Sequence, residues 1–178
     1  SYQFNPAAQT CYGSIDTLVP ITVRFWVCRA YIRFDTLPST GSNIPLITAG
    51  VFGGTYAGLA WNGTDSKIYA WVQGPVFGAT GFTPTTGVWY RVDIKVDTST
   101  GTWTADVSVD GVALGQATKA VAAANINSML FGNTTSTSGT WYLDDIVVSQ
   151  PAADYPTGDG TVEGLLGGIQ VLGGEVLA

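Results

Sequence analysis

Few residues in this chain of 178 can carry chemistry. The sequence has no histidine, which removes the commonest general base and the usual serine and cysteine triads. Two adjacent carboxylates, Asp144 and Asp145, are the best candidates for glycoside hydrolysis, which needs an acid and a base or nucleophile at a defined separation. Because neighbours on a strand point to opposite faces, these two side chains would not converge on one bond. The sequence therefore predicts a protein that binds rather than one that catalyses.

Asp144 and Asp145 are also the candidates for a metal site, since calcium prefers hard oxygen ligands such as carboxylates. A simpler interpretation is favoured, in which the two residues satisfy backbone donors of an adjacent turn. Asp159, in the turn Gly158-Asp159-Gly160, has the same two interpretations. No cofactor is predicted on this basis, and calcium stays an open alternative.

The two cysteines, Cys11 and Cys28, have no histidine that could complete a zinc site with them. We predict two buried free thiols in strands, because cysteine packs as a small hydrophobic residue. A disulfide between neighbouring strands is the alternative, and it would need an oxidising compartment.

Aromatic side chains are the candidates for ligand binding, because ligand pockets combine aromatic surfaces with a few polar groups. The chain has six tryptophans and eight tyrosines, most of which are expected in the core of a β protein. Trp61, which stands beside Asn62 at a turn, and Trp71, on the following strand, are the best candidates for exposure. These three residues are predicted to form a carbohydrate-binding platform.

The elements that would position these residues are short β-strands separated by turns. Val88 to Asp97 alternates polar and apolar residues over ten positions, which is typical of a half-buried antiparallel strand. An earlier strand carries three arginines beside phenylalanine and tryptophan, which indicates a sheet face partly open to solvent. Arg29 and Arg33 share one parity with Tyr31, and Arg24 falls on the other. Ala117 to Asn127 is the one segment of helix-compatible composition. About a dozen strands without a long amphipathic helix predict an all-β fold: a two-sheet antiparallel β-sandwich, or jelly roll, with an extended C-terminal arm.

Composition limits the partners. Seven lysines and arginines stand against thirteen aspartates and glutamates, which gives a net charge of −6. Such a chain lacks the basic surface that nucleic acid requires, and anionic membrane surfaces would repel it. No apolar stretch is long enough to insert across a bilayer. The first residues, SYQFNPAAQT, lack a signal-peptide pattern, and two interpretations stay open: a protein made in the cytoplasm with its initiator methionine removed, or a mature fragment.

The character of the chain changes after Gln150. We expect residues 1–150 to form the sandwich and residues 151–178 to form a linker followed by an apolar, glycine-rich arm. The arm is expected to contact a partner, and a strand added to the sandwich is the alternative. Its candidate assembly residues are Leu165, Leu166, Ile169, Val171, Leu172, Val176 and Leu177.

Four motifs occur in an order that points to a family: Tyr31 to Pro38, Gly87 to Val92, Val109-Asp110-Gly111, and Trp141 to Ser149. Together they resemble the concanavalin A-like lectin/glucanase jelly roll in its laminin-G-like form, over about residues 10 to 160. The stretch Asp144 to Ser149, followed by Asp154 to Gly160, resembles versions in structural proteins of tailed bacteriophages.

The resemblance implies a non-enzymatic structural protein on the virion surface, either a capsid decoration or a tail-associated protein made in the host cytoplasm. Its implied partners are other virion proteins and copies of itself in a homo-oligomer. The glucanases of this fold use a strand-borne cluster of two glutamates and an aspartate, and here the only glutamates are Glu163 and Glu175. The alternative function is a carbohydrate-binding module that recognises host-surface glycans, since one fold supports several functions.

Overall fold

The computed structural model describes residues 2–4, 11–15, 23–133 and 139–149, with side chains from 23 to 132 and from 139 to 148. These ranges contain strands and turns and no helix, so they include no helix long and apolar enough to cross a membrane. The strands of this part are β1 (Tyr2–Phe4), β2 (Cys11–Ile15), β3 (Phe25–Thr36), β4 (Asn43–Gly50), β5 (Tyr56–Asn62), β6 (Lys67–Val72), β7 (Val76–Phe77), β8 (Trp89–Asp97), β9 (Thr102–Val109), β10 (Val112–Ala120), β11 (Ser128–Asn133) and β12 (Thr140–Ser149).

The strands pair into two antiparallel sheets of six strands each. Sheet A has the order β1-β12-β3-β8-β9-β10, and sheet B has the order β2-β11-β4-β5-β6-β7. Strands that are distant in sequence lie side by side, as β12 and β8 do on either side of β3. The predicted two-sheet antiparallel β-sandwich is confirmed. The predicted C-terminal arm lies outside the described residues.

Side-chain alternation along each strand builds the core between the two sheets. In β8, the residues from Tyr90 to Val96 that lie on the inner face are buried, and the intervening residues face outward. β3 alternates in the same way, and Arg29, Tyr31 and Arg33 lie partly buried on its outer face, where the sequence pattern placed them. Four tryptophans are among the largest fully buried side chains: Trp26, Trp61, Trp103 and Trp141.

Cys28 lies on the inner face of β3 as a buried free thiol, which confirms the prediction for this residue. Burial, together with the nearby Asp93 carboxylate, raises the pKa of the Cys28 thiol. Cys11 belongs to β2 in sheet B, whereas Cys28 belongs to sheet A. The alternative of a disulfide between neighbouring strands is therefore wrong for Cys28.

The segment of helix-compatible composition does not form a helix. Ala117 to Ala120 continue β10 and pair with β9, and residues 121–127 are irregular. The Trp103 indole donates a hydrogen bond to the Ala122 carbonyl at 3.0 Å, and the Thr98 hydroxyl donates one to the Ala124 carbonyl at 2.6 Å. Strand pairing and these side-chain donors satisfy the backbone here, so tertiary context overrides the helix propensity of the alanines.

Candidate functional site

The predicted carbohydrate platform at Trp61 and Trp71 is not exposed. Trp61 is 0% exposed, because its register opposite Ile44 and Ile68 places it on the inner face of sheet B. Its ring packs against that of Phe34, with the centroids 6.0 Å apart. Trp71 lies on the outer face of the same sheet but is only 6% exposed. Neither indole offers a face on which a sugar could stack, so this prediction is wrong for both tryptophans.

Asn62, the third residue of the predicted platform, has a local structural contact. Its side-chain carbonyl accepts a hydrogen bond from the Thr64 backbone N–H at 2.9 Å. This contact is typical of an asparagine that stabilises the turn between two strands. Asn62, whose place beside a turn suggested an exposed binding site, thus stabilises the turn between β5 and β6.

Asp144 and Asp145, the predicted metal ligands, lie at a β-bulge in β12. Asp144 pairs with Tyr31, but Arg29 pairs with Val147, so β12 carries one extra residue at this point. Asp145 takes up the distortion with a φ of 46°, and its N–H donates to Asp144 Oδ1 at 3.1 Å. Asp144 thus has the favoured role of satisfying a backbone donor. Within the part of the chain that the structure describes, no group of three or more potential metal-ligating residues comes together.

The bulge also corrects the expectation that the two aspartates point to opposite faces. The extra residue lets Leu143, Ile146 and Val148 all pack on the core side, while Asp145 is exposed. A regular strand would have turned one of two consecutive carboxylates into the core at a high desolvation cost. The distortion keeps both carboxylates out of the core.

The outer face of sheet A carries a group of partly exposed aromatic and charged side chains. Two rows of three residues cross β12, β3 and β8 in register, and we call them the outer-face cluster: Tyr142, Arg33 and Trp89 in one row, and Asp144, Tyr31 and Arg91 in the next. All six side chains are partly buried. With strands about 4.8 Å apart, each row spans about 10 Å.

Arg33 is the centre of the first row. Its guanidinium carbon lies 5.2 Å from the centroid of the Trp89 ring and 4.6 Å from that of Tyr142, so both rings make cation–π contacts with it. Arg33 Nε also forms an ion pair with Asp35 Oδ1 at 3.0 Å. Three strands thereby contribute to one flat strip that is aromatic at both ends and cationic in the middle.

A layer of ion pairs supports the cluster along β8. Asp93 is 0% exposed although it lies on the outer face, because two arginines cover it. Arg91 Nε lies 2.9 Å from one carboxylate oxygen and Arg29 Nε lies 3.4 Å from the other. Further along the face, Lys95 pairs with Asp106 at 3.0 Å. These contacts hold the Arg91 side chain down on the sheet beside Tyr31.

Tyr31 and Trp89 were not predicted as ligand-binding residues from the sequence. The available signal was the shared face of Arg29, Tyr31 and Arg33, which had already indicated a surface open to solvent. Trp89 and Tyr142 reach that surface only through the pairing of β3 with β8 and β12, which connects residues more than fifty positions apart. No local pattern in the sequence carries that information.

Comparison with known proteins supports the fold assignment. No protein-family model matches the chain, and no curated protein matches it. The solved structure of the cellulose-induced protein Cip1 has a TM-score of 0.58 at 13% identity, covering 84% of this chain and 78% of that one. An SAP-like pentraxin from Limulus polyphemus has a TM-score of 0.53 at 14% identity, covering 82% and 74%. Trypanosoma rangeli sialidase has a TM-score of 0.51 at 20% identity, covering 71% of this chain and 20% of the sialidase.

These similarities define the class of fold to which the chain belongs. It is a two-sheet antiparallel β-sandwich of the jelly-roll kind. The chain spans about a fifth of the length of the sialidase that it matches. At these identities the likeness concerns the fold, and the function must be argued from the residues of this chain.

Proposed function

We propose that the protein is a non-catalytic carbohydrate-binding module whose ligand lies across the outer-face cluster. The observation that supports this function is the row in which Arg33 is held between Trp89 and Tyr142 on an open sheet face. Sugars present apolar C–H faces and hydroxyl groups together, and an aromatic surface with a few fixed polar groups complements both.

The polar groups of the cluster are spaced for hydroxyl recognition. Among the described residues, none accepts a hydrogen bond from the terminal nitrogens of Arg33 or from the Tyr31 hydroxyl. The Asp144 carboxylate borders Tyr31 on the neighbouring strand. The Arg33 and Tyr31 donors on β3 and the Asp144 carboxylate on β12 thus lie on adjacent strands of one rigid sheet, which lowers the entropy cost of binding.

The absence of catalysis is part of the proposal. The sequence contains no histidine, and its glutamates stand only at positions 163 and 175. Of the carboxylates near the cluster, Asp93 is buried beneath two arginines and Asp144 accepts the Asp145 N–H. Hydrolysis of a glycan by the wild type, abolished in Asp144→Asn, would contradict this part of the proposal.

A glycan array tests the binding function directly. We expect wild-type binding to fall at least about fivefold in Trp89→Ala and Tyr142→Ala, since stacking on each ring contributes about 1 kcal/mol or more. Phe52→Ala is the matched control, because Phe52 is 66% exposed at the β4–β5 turn, away from the cluster. Equal loss in all three variants, or no binding by the wild type, would refute the proposed site.

The second candidate function is assembly on a virion as a structural protein. It is supported by the motif resemblance to tailed-phage proteins and by the apolar composition of residues 161–178. Obligate interfaces are more apolar than transient ones, and such an arm suits permanent assembly. Light scattering compares the full chain with a chain that ends at Gln150. Assembly predicts an oligomer that becomes monomeric on truncation, and two monomers would exclude self-association through the arm.

A further inference from the structure

We propose that the outer-face cluster selects uncharged glycans and disfavours acidic ones. This inference rests on the proposed carbohydrate-binding function and names its ligand class. It follows from the way in which the charges on this face of sheet A are paired with one another.

Each cation on this face has an acidic partner. Arg33 pairs with Asp35 at 3.0 Å, Arg91 with Asp93 at 2.9 Å and Lys95 with Asp106 at 3.0 Å. The fourth cation, Arg29, shares Asp93 with Arg91. The alternation of β3, β8 and β12 places two further carboxylates, Asp97 and Asp144, on the same face.

The outer face of sheet A therefore has no cationic excess. Among the residues whose side chains the structure describes, four cations, Arg29, Arg33, Arg91 and Lys95, stand against six carboxylates, Asp35, Asp93, Asp97, Asp106, Asp144 and the bulge residue Asp145, which leaves a net charge of 4 − 6 = −2. The whole chain carries −6. A carboxylated or sulfated glycan meets no attractive field at long range and like charge at short range.

An acidic group of a ligand would bind best to an unpaired Arg33, because a guanidinium matches a carboxylate in a bidentate geometry. Here its Nε forms an ion pair with Asp35, and its guanidinium carbon lies over the Trp89 and Tyr142 rings. The remaining terminal nitrogens can donate to hydroxyl oxygens, which need no net charge. An incoming carboxylate at the same position would lie beside Asp35 and be repelled.

Asp35 is thus the specificity-determining residue of the cluster. Its side chain is 41% exposed near the end of β3, so the change Asp35→Asn preserves shape and removes the charge at little cost in stability. Asp35→Asn frees the Arg33 charge for a ligand. The matched control is Asp65→Asn, which removes one negative charge from an exposed turn between β5 and β6 and leaves the cluster unaltered.

The experiment titrates the full chain calorimetrically with neutral oligohexoses and with oligohexuronates of the same length, at about 20 mM and about 200 mM NaCl. We expect the wild type to bind the neutral series at least about tenfold more tightly, with little dependence on salt. Asp35→Asn should gain about tenfold for the uronates, and this gain should be lost at the higher salt. Its affinity for the neutral series and both affinities of Asp65→Asn should stay within about twofold of wild type.

Each contrary outcome identifies what fails. Tighter binding of the uronates by the wild type, with a steep salt dependence, overturns the selectivity while the carbohydrate-binding function stands. The same result follows if Asp35→Asn and Asp65→Asn gain equally, because the effect then belongs to net charge and not to Arg33. Binding of neither series overturns both the inference and the proposed function.

Discussion

Replacing two tryptophans separately by alanine distinguishes the core from the candidate site. Trp61 is 0% exposed and packs on Phe34, so Trp61→Ala leaves a large cavity between the sheets. Truncating a buried tryptophan to alanine costs about 3–5 kcal/mol. Trp89 is partly exposed on the outer face and contacts Arg33, a cation–π contact worth about 0.5–1 kcal/mol at such sites. With the loss of its partial burial, we expect Trp89→Ala to cost about 1–2 kcal/mol in unfolding free energy.

Urea unfolding followed by circular dichroism measures both changes. With an m-value of about 2 kcal/mol/M, the midpoint should fall by about 1.5–2.5 M urea for Trp61→Ala and by about 0.5–1 M for Trp89→Ala. Phe52→Ala, at a residue 66% exposed, should move the midpoint least. A larger destabilisation by Trp89→Ala than by Trp61→Ala would refute the assignment of the two faces, and with it the position of the cluster.

Three further outcomes follow from single residues. Asp145 has a φ of 46°, in the left-handed region that glycine adopts freely and that costs valine about 1–2 kcal/mol. Asp145→Val should therefore have an unfolding free energy about 1–2 kcal/mol lower than that of Asp145→Gly. Equal stabilities of the two variants by thermal melting would contradict the bulge. Burial raises the pKa of the Cys28 thiol, so in a Cys11→Ser variant a thiol reagent should react only after denaturation, and rapid labelling of the folded protein would be inconsistent with burial. The hydrogen bond that Tyr69 donates to Asp65, followed by burial, raises the pKa of Tyr69 from 10.0 to about 12. Because this folded-state pKa exceeds the unfolded value, the Tyr69–Asp65 contact stabilises the fold fully below pH 10, and the stabilisation is lost as the pH rises to about 12. An ultraviolet titration of tyrosine ionisation should lose a component near pH 12 in Tyr69→Phe, and a titration curve that is unchanged in this variant would disprove the shift.

The strands and their buried faces were largely predictable from the sequence. The ten-position alternation from Val88 to Asp97 predicts a strand in a sheet with one solvent-facing side, and in the structure β8 spans Trp89–Asp97. In β3 the arginines indicated a face partly open to solvent, and Arg29 and Arg33 lie with Tyr31 on the outer face. Alternation is a local property, so a single strand suffices to reveal it.

The candidate site was not predictable from the sequence, because it depends on which strands lie side by side. Arg33, Trp89 and Tyr142 belong to three separate strands, and only the register of sheet A joins them in one row. Trp61 was misjudged for a related reason: its position next to a turn suggested exposure, whereas its register faces it towards the other sheet. The bulge at Asp145 was not predictable from regular alternation either. Regular alternation would turn one of the two consecutive carboxylates into the core, and the extra residue in β12 avoids this.

Carbohydrate binding on the outer face of sheet A can be followed directly through the tryptophan indoles. Five of the six tryptophans are buried, and Trp89 alone is partly exposed on the cluster. The measurement is a titration of the full chain, labelled with ¹⁵N in the indoles, with the best neutral oligosaccharide from the glycan array. We expect the Trp89 indole N–H signal, assigned by its loss in Trp89→Phe, to shift in proportion to binding while the other five signals stay in place. Saturable binding that leaves the Trp89 signal unmoved would contradict the claim and place the ligand elsewhere on the protein.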